Sequence, residues 1–503
     1  MECNPMEVPR TLRTLRRLDW RVVLLVVPGT LLAAVAVDAE DIGDTPVITR
    51  HLSHEAILAG RIGFSELFAH GRLLFEADFN RLDGAGRPET NGTGTAPRPR
   101  REAMDAFNRI SGPDANSCLG CHNKPRSGGG GDNVANVFVL GQRFGFVDDF
   151  NEPDPLTGEV PGTLRNVANE RNTLGMWGSG AIEMLAREMT ADMHAIRDKA
   201  VAQARRSGAP VTLSLDTKGV NFGRITGLPD GRVDASQVEG VDQDLIIKPF
   251  HQKGVVVSLR QFTVNANNHH HGMQAVERFG LNSDPDRDGV ANELTVGDIT
   301  AETVFQAALA FPGRRIPRDP AKAAAVQRGE RLFASAGCAS CHRPALELNS
   351  RYYTEPNPYN PPGNLRPGDF PGSYQFDLTR FGEEPRPKPT RDGRILVQAF
   401  TDLKRHDMGT DPRMNNERLV QSGVPTSVFI TKKLWGFASE APFLHNGCAT
   451  LIGDAIDAHG GEAAASRAAY LSLSPRDRAC LIEFLKTLVV LPPGTQTLVI
   501  RAG

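Results

Sequence analysis

Two copies of the pattern Cys-x-x-Cys-His constrain this chain more than any other feature of its sequence. They are Cys118-Leu-Gly-Cys121-His122 and, 220 positions later, Cys338-Ala-Ser-Cys341-His342. In an exported protein, two such thiols add to the vinyl groups of a haem, and the adjacent histidine binds the haem iron. The two units therefore predict two covalently attached c-type haems, with His122 and His342 as iron ligands.

Zinc binding and redox disulfides are the alternative interpretations of a Cys-x-x-Cys pair. A structural zinc site needs four ligands in compact spacing, whereas a thioredoxin-like disulfide lies near a βαβ pattern and needs no histidine after it. Neither explains why a histidine follows both distant units. Two further cysteines, Cys448 and Cys480, either form a disulfide in an oxidising compartment or stay free, and the sequence leaves both alternatives open.

Residues 1–39 have the pattern of a secretory signal peptide. Arginines up to Arg21 precede an apolar stretch from Val22 to Val37, and small residues follow it as far as Ala39. The apolar stretch has 16 residues and contains a proline, so it is short for a membrane-spanning helix, although an uncleaved N-terminal membrane anchor is the alternative. We therefore expect a periplasmic protein that is secreted across the inner membrane.

Charge and composition exclude several classes of protein. The chain has 57 Lys and Arg against 59 Asp and Glu, a formal net charge of −2, so its charge gives no indication of nucleic acid as a partner. With 503 residues, 40% of them apolar, it is long enough for two large domains and too apolar for a disordered chain. The 50 glycines and 35 prolines indicate a loop-rich protein with short elements.

The sequence predicts two haem domains after the signal peptide. Apolar residues at helical spacing predict helices over residues 321–336, just before the second unit, and 476–490, near the C-terminus. We expect an N-terminal haem domain over residues 40–315, with an insertion at about 182–245, and a C-terminal cytochrome c-like haem domain over 316–503. The expected fold class is mainly α, with two cytochrome c-like haem domains, loop-rich decorations and a small α/β insertion in the first.

A Trp-Gly pair follows each haem unit, at Trp177-Gly178 and Trp435-Gly436. This echo supports a duplicated arrangement. A tryptophan between two haems can shorten a path for electrons, but a buried tryptophan is more often part of a hydrophobic core. We expect Trp177 to pack in the core, and both roles stay open for Trp435.

Four segments of the C-terminal half resemble a known family. They are Phe400-Thr-Asp-Leu-Lys-Arg-His-Asp-Met-Gly409, Leu434-Trp435-Gly436, Ala441-Pro442-Phe443-Leu444-His445-Asn446-Gly447 and His459-Gly-Gly-Glu-Ala463. These segments are similar to the di-haem oxidoreductases, a di-haem peroxidase family of the bacterial cytochrome c peroxidase superfamily. The resemblance covers about residues 240–490 well and the N-terminal half more loosely.

The resemblance implies that the C-terminal haem stores or relays electrons. Its second axial ligand in the family lies on the helix after a Pro-x-x-His-x-Gly loop, a position that matches His459 here. The C-terminal haem iron would then be bound by His342 and His459, and a second histidine in place of a thioether ligand lowers the reduction potential. Alternatively, His459 is an ordinary helix-terminal residue beside Gly460.

The same resemblance implies that the N-terminal haem is the reaction centre. His270 and His271, in a run of three histidines, are candidates for a distal ligand or for the acid and base that break an O–O bond, or else they are polar residues of a turn. Glu183 and Glu188 are candidates for the carboxylate that peroxidatic relatives use as a general base. The alternative is that both are solvated charges on a surface helix.

Calcium is indicated at two places. Asp284, Asp286 and Asp288 give the alternating oxygen ligands of a calcium loop, but the bidentate Glu of an EF-hand is missing from its place, and a solvated acidic turn is the alternative. The family also holds an interdomain calcium ion through an asparagine and backbone carbonyls. Asn172 and Pro442 match those positions loosely.

Three functions are compatible with these features. The first is a periplasmic di-haem oxidoreductase that takes electrons from a small redox protein or another donor and reduces hydrogen peroxide. The second is a di-haem oxygenase or protein-modifying enzyme that uses dioxygen or a high-valent intermediate, and the third is a non-enzymatic electron-transfer cytochrome c. An open iron coordination position separates the first two from the third. We expect an enzyme of the first kind, because a pure carrier needs neither a long insertion nor the His-rich segment.

Overall fold

The computed structural model describes residues 43–86, 115–131, 133–135, 170–285, 288–417 and 420–502. The described residues from Pro46 onwards belong to one compact unit. The signal peptide predicted over residues 1–39 lies outside the described residues. The domain boundary predicted at residues 315 and 316 falls within the compact unit and stays a prediction.

Ten α-helices lie in the described part of the chain, and most of them are short. In chain order they are α1 (His54–Leu58), α2 (Phe64–Glu76), α3 (Ser179–Ser207), α4 (Leu259–Ala266), α5 (Val276–Phe279), α6 (Val296–Ala307), α7 (Pro320–Ser335), α8 (Ile452–Asp457), α9 (Ala464–Ser472) and α10 (Pro475–Leu485). A π-helical turn, Asn267–His271, continues α4, and 3-10 turns lie at Cys338–Ser340 and Gly461–Ala463. None of the described helices is long and apolar enough to span a membrane.

The described strands form six small sheets. They are β1 (Asn133–Ala135), β2 (Glu170–Asn172), β3 (Val211–Thr217), β4 (Val220–Gly227), β5 (Val233–Asp234), β6 (Gly313–Pro317), β7 (Leu346–Leu348), β8 (Tyr352–Glu355), β9 (Tyr374–Asp377), β10 (Ile395–Val397), β11 (Arg405–Asp407), β12 (Val428–Ile430), β13 (Leu488–Val489) and β14 (Val499–Ala502). The two-stranded pairs β1-β2, β7-β10, β8-β9 and β11-β12 are antiparallel. β3-β4-β5 is an antiparallel meander, and β6 pairs with β13 antiparallel and with β14 parallel.

The predicted fold class is wrong. The described residues are 32% helical and 16% strand with several small sheets, so this part of the chain is not mainly α, and it gives no positive evidence of two cytochrome c domains. The reason is visible between residues 346 and 430, where all six described strands, β7 to β12, have three or four residues each. Glycines and prolines interrupt this stretch frequently, so each strand ends after a few residues. The backbone then forms short β-ladders instead of helices.

Local sequence explains where the two predicted helices begin. α7 begins after Asp319, whose side chain accepts a hydrogen bond from the first turn, and proline occupies the first helical position. α10 begins in the same way after Ser474. The helix predicted over residues 321–336 is therefore confirmed, and the one predicted over 476–490 is confirmed as a shorter helix followed by β13.

Two helix pairs make close contacts at a glycine. The largest apolar core packs side chains of α2, α3 and α6, and a second core packs α7 against α10. A Cβ at Gly71 of α2 would lie 2.0 Å from the carbonyl oxygen of Ala301 in α6. A Cβ at Gly329 of α7 would lie 1.9 Å from the carbonyl oxygen of Cys480 in α10. Only glycine allows the backbones to approach this closely.

We expect Gly71→Ala to lower the free energy of unfolding by about 1–3 kcal/mol or more, because the added methyl meets fixed backbone. Gly63→Ala is the matched control, since a Cβ at Gly63 would have no heavy atom within 4 Å. Chemical denaturation of both variants measures the difference. Equal stability of the two variants would contradict the close contact between α2 and α6.

Candidate functional site

The first Cys-x-x-Cys-His unit lines a large cavity, which we call the first cavity. It encloses about 1550 Å³ of space, counted out to its open mouth. Cys118, Cys121 and His122 form one part of its wall, and Phe75 and Phe262 supply aromatic faces. A cavity of this size and lining suits a large, mostly apolar cofactor.

The second unit lines a cavity of nearly the same size, about 1540 Å³, which we call the second cavity. Cys338, Cys341 and His342 lie on its wall, together with Phe333 of α7 and His459 just after α8. None of the described cysteines forms a disulfide in the structure. The two thiols of each unit therefore stand at the wall of a cavity rather than in a disulfide.

A backbone carbonyl orients the histidine of each unit. The Nδ1 atom of His122 lies 3.0 Å from the carbonyl oxygen of Gly129, and Nδ1 of His342 lies 3.2 Å from that of Phe400. A carbonyl oxygen only accepts, so Nδ1 carries the proton and Nε2 keeps its lone pair. Burial lowers the pKa of both imidazoles to about 4, and both are therefore neutral at pH 7, the form that binds metal.

His459 faces His342 in the second cavity. Its Nδ1 lies 2.8 Å from the carbonyl oxygen of Ala455, which again leaves Nε2 as the available nitrogen, and burial lowers its pKa. The two ring centres are 6.4 Å apart. Two imidazole nitrogens bound to one metal ion, each at about 2 Å, place the ring centres about 6 Å apart. The pair therefore has the spacing and the tautomers of two axial ligands of one metal.

One thin wall separates the two cavities. The residues that line both are Leu174, Gln252, Ile430, Thr431 and Lys432. The amide of Gln252 donates to the carbonyl oxygens of Asn172 and His445 at 2.8 and 2.9 Å, and the backbone N–H of Asn172 donates to His445 at 2.7 Å. The segment after the first unit and the segment after the second are thus bonded to each other within the wall.

The Trp-Gly echo has a structural counterpart in this wall. Leu174 and Lys432, each three residues before a Trp-Gly pair, line both cavities. The expectation for Trp177 is confirmed, because it is 1% exposed and packs in the largest core.

Trp435, by contrast, lines the first cavity. Its ring lies against Gly178, where a Cβ would be 2.5 Å from the ring. The tryptophan that follows the second unit therefore reaches across the wall to the cavity of the first unit.

The wall carries two lysines and one carboxylate. Lys432, Lys433 and Glu440 all line the first cavity. Burial lowers the pKa of Lys433 to about 8 and also lowers that of Lys432, while burial raises the pKa of Glu440. The Glu440 side chain packs on Gly175, where a Cβ would be 1.7 Å from Oε1. Two ammonium groups beside one carboxylate give this part of the lining a positive surplus, which favours an anionic occupant.

The two histidines proposed from the sequence are placed differently in the first cavity. Both line it, but the ring of His271 is tied by Nδ1 to the carbonyl oxygen of Ala115 at 3.0 Å and by Nε2 to Sγ of Cys118 at 3.4 Å. His270 is half-buried and belongs to the same lining. Of the two, His271 is the one whose ring contacts the first Cys-x-x-Cys-His unit.

Glu183 and Glu188 lie on α3, outside the lining of both cavities. Glu183 is fully buried, pairs with Arg187, and accepts hydrogen bonds from the Asn357 amide at 2.8 Å and the Leu259 backbone at 2.9 Å. Glu188 binds Lys218 at 2.6 Å and caps the backbone of the loop at residues 349–350. Their contacts tie α3 to its neighbours.

A carboxylate that the sequence analysis did not identify lines the first cavity. Glu302 of α6 is 1% exposed, its Oε2 accepts a hydrogen bond from the Asn267 amide at 2.9 Å, and its Oε1 lies 3.5 Å from Sγ of Cys118. Within the described residues it has no ion pair, and burial raises its pKa to about 7. The signal available in the sequence was a glutamate within the mostly uncharged stretch Ile299-Thr-Ala-Glu302-Thr-Val-Phe305.

Gln306, one helical turn after Glu302, lines the same cavity. Its amide nitrogen donates to the hydroxyl of Thr263 at 2.7 Å. Its amide oxygen is buried and has no hydrogen-bond partner in the described structure. Glu302 and Gln306 thus place an acid and an unused acceptor side by side in the first cavity.

The residues suggested for calcium are held by hydrogen bonds of their own. Both oxygens of Asp284 accept from the backbone N–H groups of Asp288 and Gly289, and Asp286 lies outside the described residues. The structure does bring Asn172 to Pro442, because the amide of Asn172 donates to the Pro442 carbonyl oxygen at 2.6 Å. The amide oxygen of Asn172 is buried without a partner in the described structure.

The two remaining cysteines differ in their surroundings. Cys448 is exposed and Cys480 is buried, and each is a free thiol. Within the described residues, the side chains of Cys341, Asp402 and His406 form the one group of three that could bind a metal ion, with ligand atoms within 4.8 Å of one another.

Comparisons with known proteins give a match in the C-terminal part. No curated protein matches the chain. A solved structure of hydrazine synthase from Kuenenia stuttgartiensis, pressurised with 20 bar xenon, is 14% identical over 93% of this chain and 100% of its own, with a TM-score of 0.33. A TM-score of this size does not establish a shared fold.

The family model described as "Di-haem oxidoreductase, putative peroxidase" matches residues 388–488. The matched range includes residues 400–409, the Trp-Gly pair at residue 435 and His459. It confirms the resemblance recognised in the sequence for this part of the chain. The match supports an enzyme of the oxidoreductase kind with haem as its cofactor.

Proposed function

We propose that this chain is a periplasmic di-haem c-type oxidoreductase, in which a haem in the second cavity passes electrons to a haem in the first cavity that reacts with hydrogen peroxide. The observation that carries the proposal is the pairing of two cavities across one wall, each lined by its own Cys-x-x-Cys-His unit. Electron transfer needs two redox centres close together, and peroxide reduction needs one of them to be accessible.

The donor sets fit covalent haem at both places. Each cavity offers two thiols that form no disulfide and, next to them, a neutral histidine whose Nε2 is available. In the second cavity His342 and His459 would hold the iron from both sides. A haem bound in this way supplies one-electron chemistry, and an iron with two strong ligands exchanges electrons without binding substrate.

The positive surplus of the wall supports the same assignment. A haem carries two carboxylates on one edge, opposite the edge that the thiols bind. Lys432 lines both cavities and Lys433 lines the first, and Glu440 is the carboxylate whose charge acts on both. We propose that these ammonium groups bind the haem carboxylates. Each charge would then have a partner of opposite sign, which would stabilise the buried lysines and carboxylates alike.

Glu302 is the group best placed to handle protons in the first cavity. Reduction of hydrogen peroxide to two waters consumes two electrons and two protons. Glu302 lines the first cavity with a pKa near 7 and without a cation partner in the described residues, so it can hold and release a proton at neutral pH. The free amide oxygen of Gln306 would accept a hydrogen bond from peroxide and orient it.

Calcium belongs to the proposal only at the Asn172 position. The buried amide oxygen of Asn172 is a suitable ligand. The nearby Pro442 carbonyl is already engaged by the Asn172 amide, and a single oxygen is a weak site for an ion that takes six to eight. We therefore place no step of the reaction on calcium.

A non-enzymatic carrier is the second candidate, and the first cavity distinguishes it from the enzyme. If His270 binds the first iron permanently, both irons have two histidine ligands and peroxide has no access. Acid and amide groups in the cavity lining favour the enzyme, because a carrier has no use for them.

Haem attachment to each cavity can be tested by replacing cysteines in pairs. We expect the wild-type chain to carry two covalent haems, and Cys118→Ala/Cys121→Ala and Cys338→Ala/Cys341→Ala to carry one each, because each pair lines a separate cavity. Pyridine haemochrome spectra and intact mass give the count.

Cys448→Ala is the control for that count, since Cys448 is exposed and outside the Cys-x-x-Cys-His units. It should keep both haems. Zinc with no covalent haem in the wild-type chain would contradict the proposal.

Glu302→Gln tests the proton-handling role. We expect peroxide turnover to fall by about 10²–10⁴-fold with both haems still attached, because the variant keeps a hydrogen-bonding side chain but loses the exchangeable carboxyl proton. Glu188→Gln is the matched control, since Glu188 lies outside both cavities, and it should keep its turnover. Equal losses in the two variants would count against Glu302.

The raised pKa of Glu302 predicts that the free energy of unfolding depends on pH. The pKa of Glu302 is raised from 4.5 to about 7 by burial, so the folded chain holds this proton more tightly than the unfolded chain. The contribution of this proton to the free energy of unfolding is fully present below pH 4.5. It decreases as the pH rises to 7, by up to about 3 kcal/mol. Between pH 5 and pH 8 the Tm of the wild-type chain should therefore fall further than that of Glu302→Gln. A parallel fall in both would contradict the raised pKa.

A further inference from the structure

Residues 400–409, which we call the strap, run between the two cavities. Thr401 and Leu403 line the first cavity, and His406 and Met408 line the second. Phe400 and Leu403 have positive φ angles of 54° and 57°, which side-chain-bearing residues rarely adopt. The surrounding structure must hold such a backbone in place, and strained positions of this kind cluster at functional sites.

One end of the strap orients the first axial histidine of the second cavity. The carbonyl oxygen of Phe400 accepts the hydrogen bond from Nδ1 of His342. The next residue, Thr401, donates from its hydroxyl to the carbonyl oxygen of Thr431 in the shared wall at 2.7 Å. Movement of this end would therefore turn the His342 ring.

The other end of the strap is bound beside the second axial histidine. Nε2 of His406 lies 2.9 Å from Asp402 and its Nδ1 lies 2.7 Å from Glu462. The backbone N–H of Asp407 donates to the second oxygen of Glu462 at 2.9 Å. Glu462 is three residues after His459, so the carboxylate-histidine-carboxylate contact ties the strap to the turn that carries His459.

Two glycines after His459 make that contact possible. A Cβ at Gly461 would lie 2.1 Å from the carbonyl oxygen of Asp407, and a Cβ at Gly460 would lie 2.8 Å from that of Met408. Gly461 also has a positive φ of 52°. The strap and the turn can pack together only because both positions lack a side chain.

The position of His406 between two carboxylates favours its positively charged form. Burial alone would lower its pKa, but the hydrogen bonds to Asp402 and Glu462 and the charge of Asp402 outweigh burial and raise the pKa to about 11. The charge lies at the second haem unit, because its ring nitrogen is within 4.8 Å of Sγ of Cys341. The imidazolium therefore stands where the thioether edge of a haem would be.

We propose that His406 is a positioning residue for the second haem, which fixes the strap to the turn beside His459 and holds a positive charge at the Cys341 edge of the cofactor. This inference rests on the proposed function, since it needs a haem in the second cavity. Two carboxylates lie on this imidazolium, so removing its charge would leave their negative charges uncompensated beside the haem, which would stabilise the oxidised form and lower the reduction potential.

The same side chains could instead hold a metal ion. Cys341, Asp402 and His406 are close enough to bind one. A haem thioether would use the Cys341 sulfur and leave only two ligands, fewer than a structural zinc site needs. The two occupants are therefore mutually exclusive, and metal content distinguishes them.

The test is the reduction potential of each haem in the full-length haem-loaded protein, measured by spectroelectrochemistry. In His406→Gln, which removes the charge but keeps a hydrogen-bonding side chain, we expect the reduction equilibrium of the second haem to fall at least tenfold, or 59 mV for one electron. The first haem should be unchanged. His194→Gln is the matched control, because His194 contacts the Asp244 carbonyl outside both cavities, and it should shift neither haem.

Glu462→Gln provides the opposite sign if His406→Gln folds poorly. Removing the negative charge while Asp402 keeps His406 charged should raise the potential of the second haem, by less because Glu462 is 53% exposed on its side chain. Electron paramagnetic resonance of the low-spin second haem reports whether its two histidine ligands are retained.

Each outcome bears on one claim. Two haems in the wild-type chain with no potential shift, or with shifts of the same sign in both variants, would overturn the role of His406 alone. A wild-type chain with zinc in place of the second haem would overturn the proposed function as well. Opposite shifts confined to the second haem would support the inference.

Discussion

The wall between the two cavities is the constraint on which the rest of the structure depends. It is built from three distant segments, at Leu174, at Gln252 and at residues 430–432, and the hydrogen bonds among Asn172, Gln252 and His445 hold these segments together. The same five residues line both cavities. The wall therefore sets the distance between the cavities, so a change in it affects both sites.

The two cavities are similar in size but differ in chemistry. The second contains two neutral imidazoles that face each other 6.4 Å apart, an arrangement suited to a fully ligated iron. The first contains a buried acid, Glu302, and an unused amide oxygen on Gln306. In the proposed function the two cavities therefore have different roles. The haem in the second cavity would hold electrons between two histidine ligands, and peroxide would react in the first cavity, where protons are available.

The sequence predicted features that depend on neighbouring residues and missed those that depend on folding. Asp319 and Ser474 cap helices through local contacts, so both helices could be predicted. The fold class was wrong because helical spacing near the haem units says nothing about the long glycine-rich and proline-rich stretches between them. Glu302 is 184 residues from Cys118, and His406 is 56 residues from Glu462. Only the folded chain brings these pairs together. The sequence also does not show that Glu183 forms an ion pair with Arg187.

The central claim is that one haem is open to peroxide and the other supplies electrons to it. The most direct measurement is the optical and electron paramagnetic resonance spectrum of half-reduced, haem-loaded protein before and after one equivalent of hydrogen peroxide without oxygen. The account predicts rapid loss of two electrons, with a change in the coordination of the first haem and retained histidine ligation of the second. Two six-coordinate haems that do not respond to peroxide would contradict it and indicate an electron carrier.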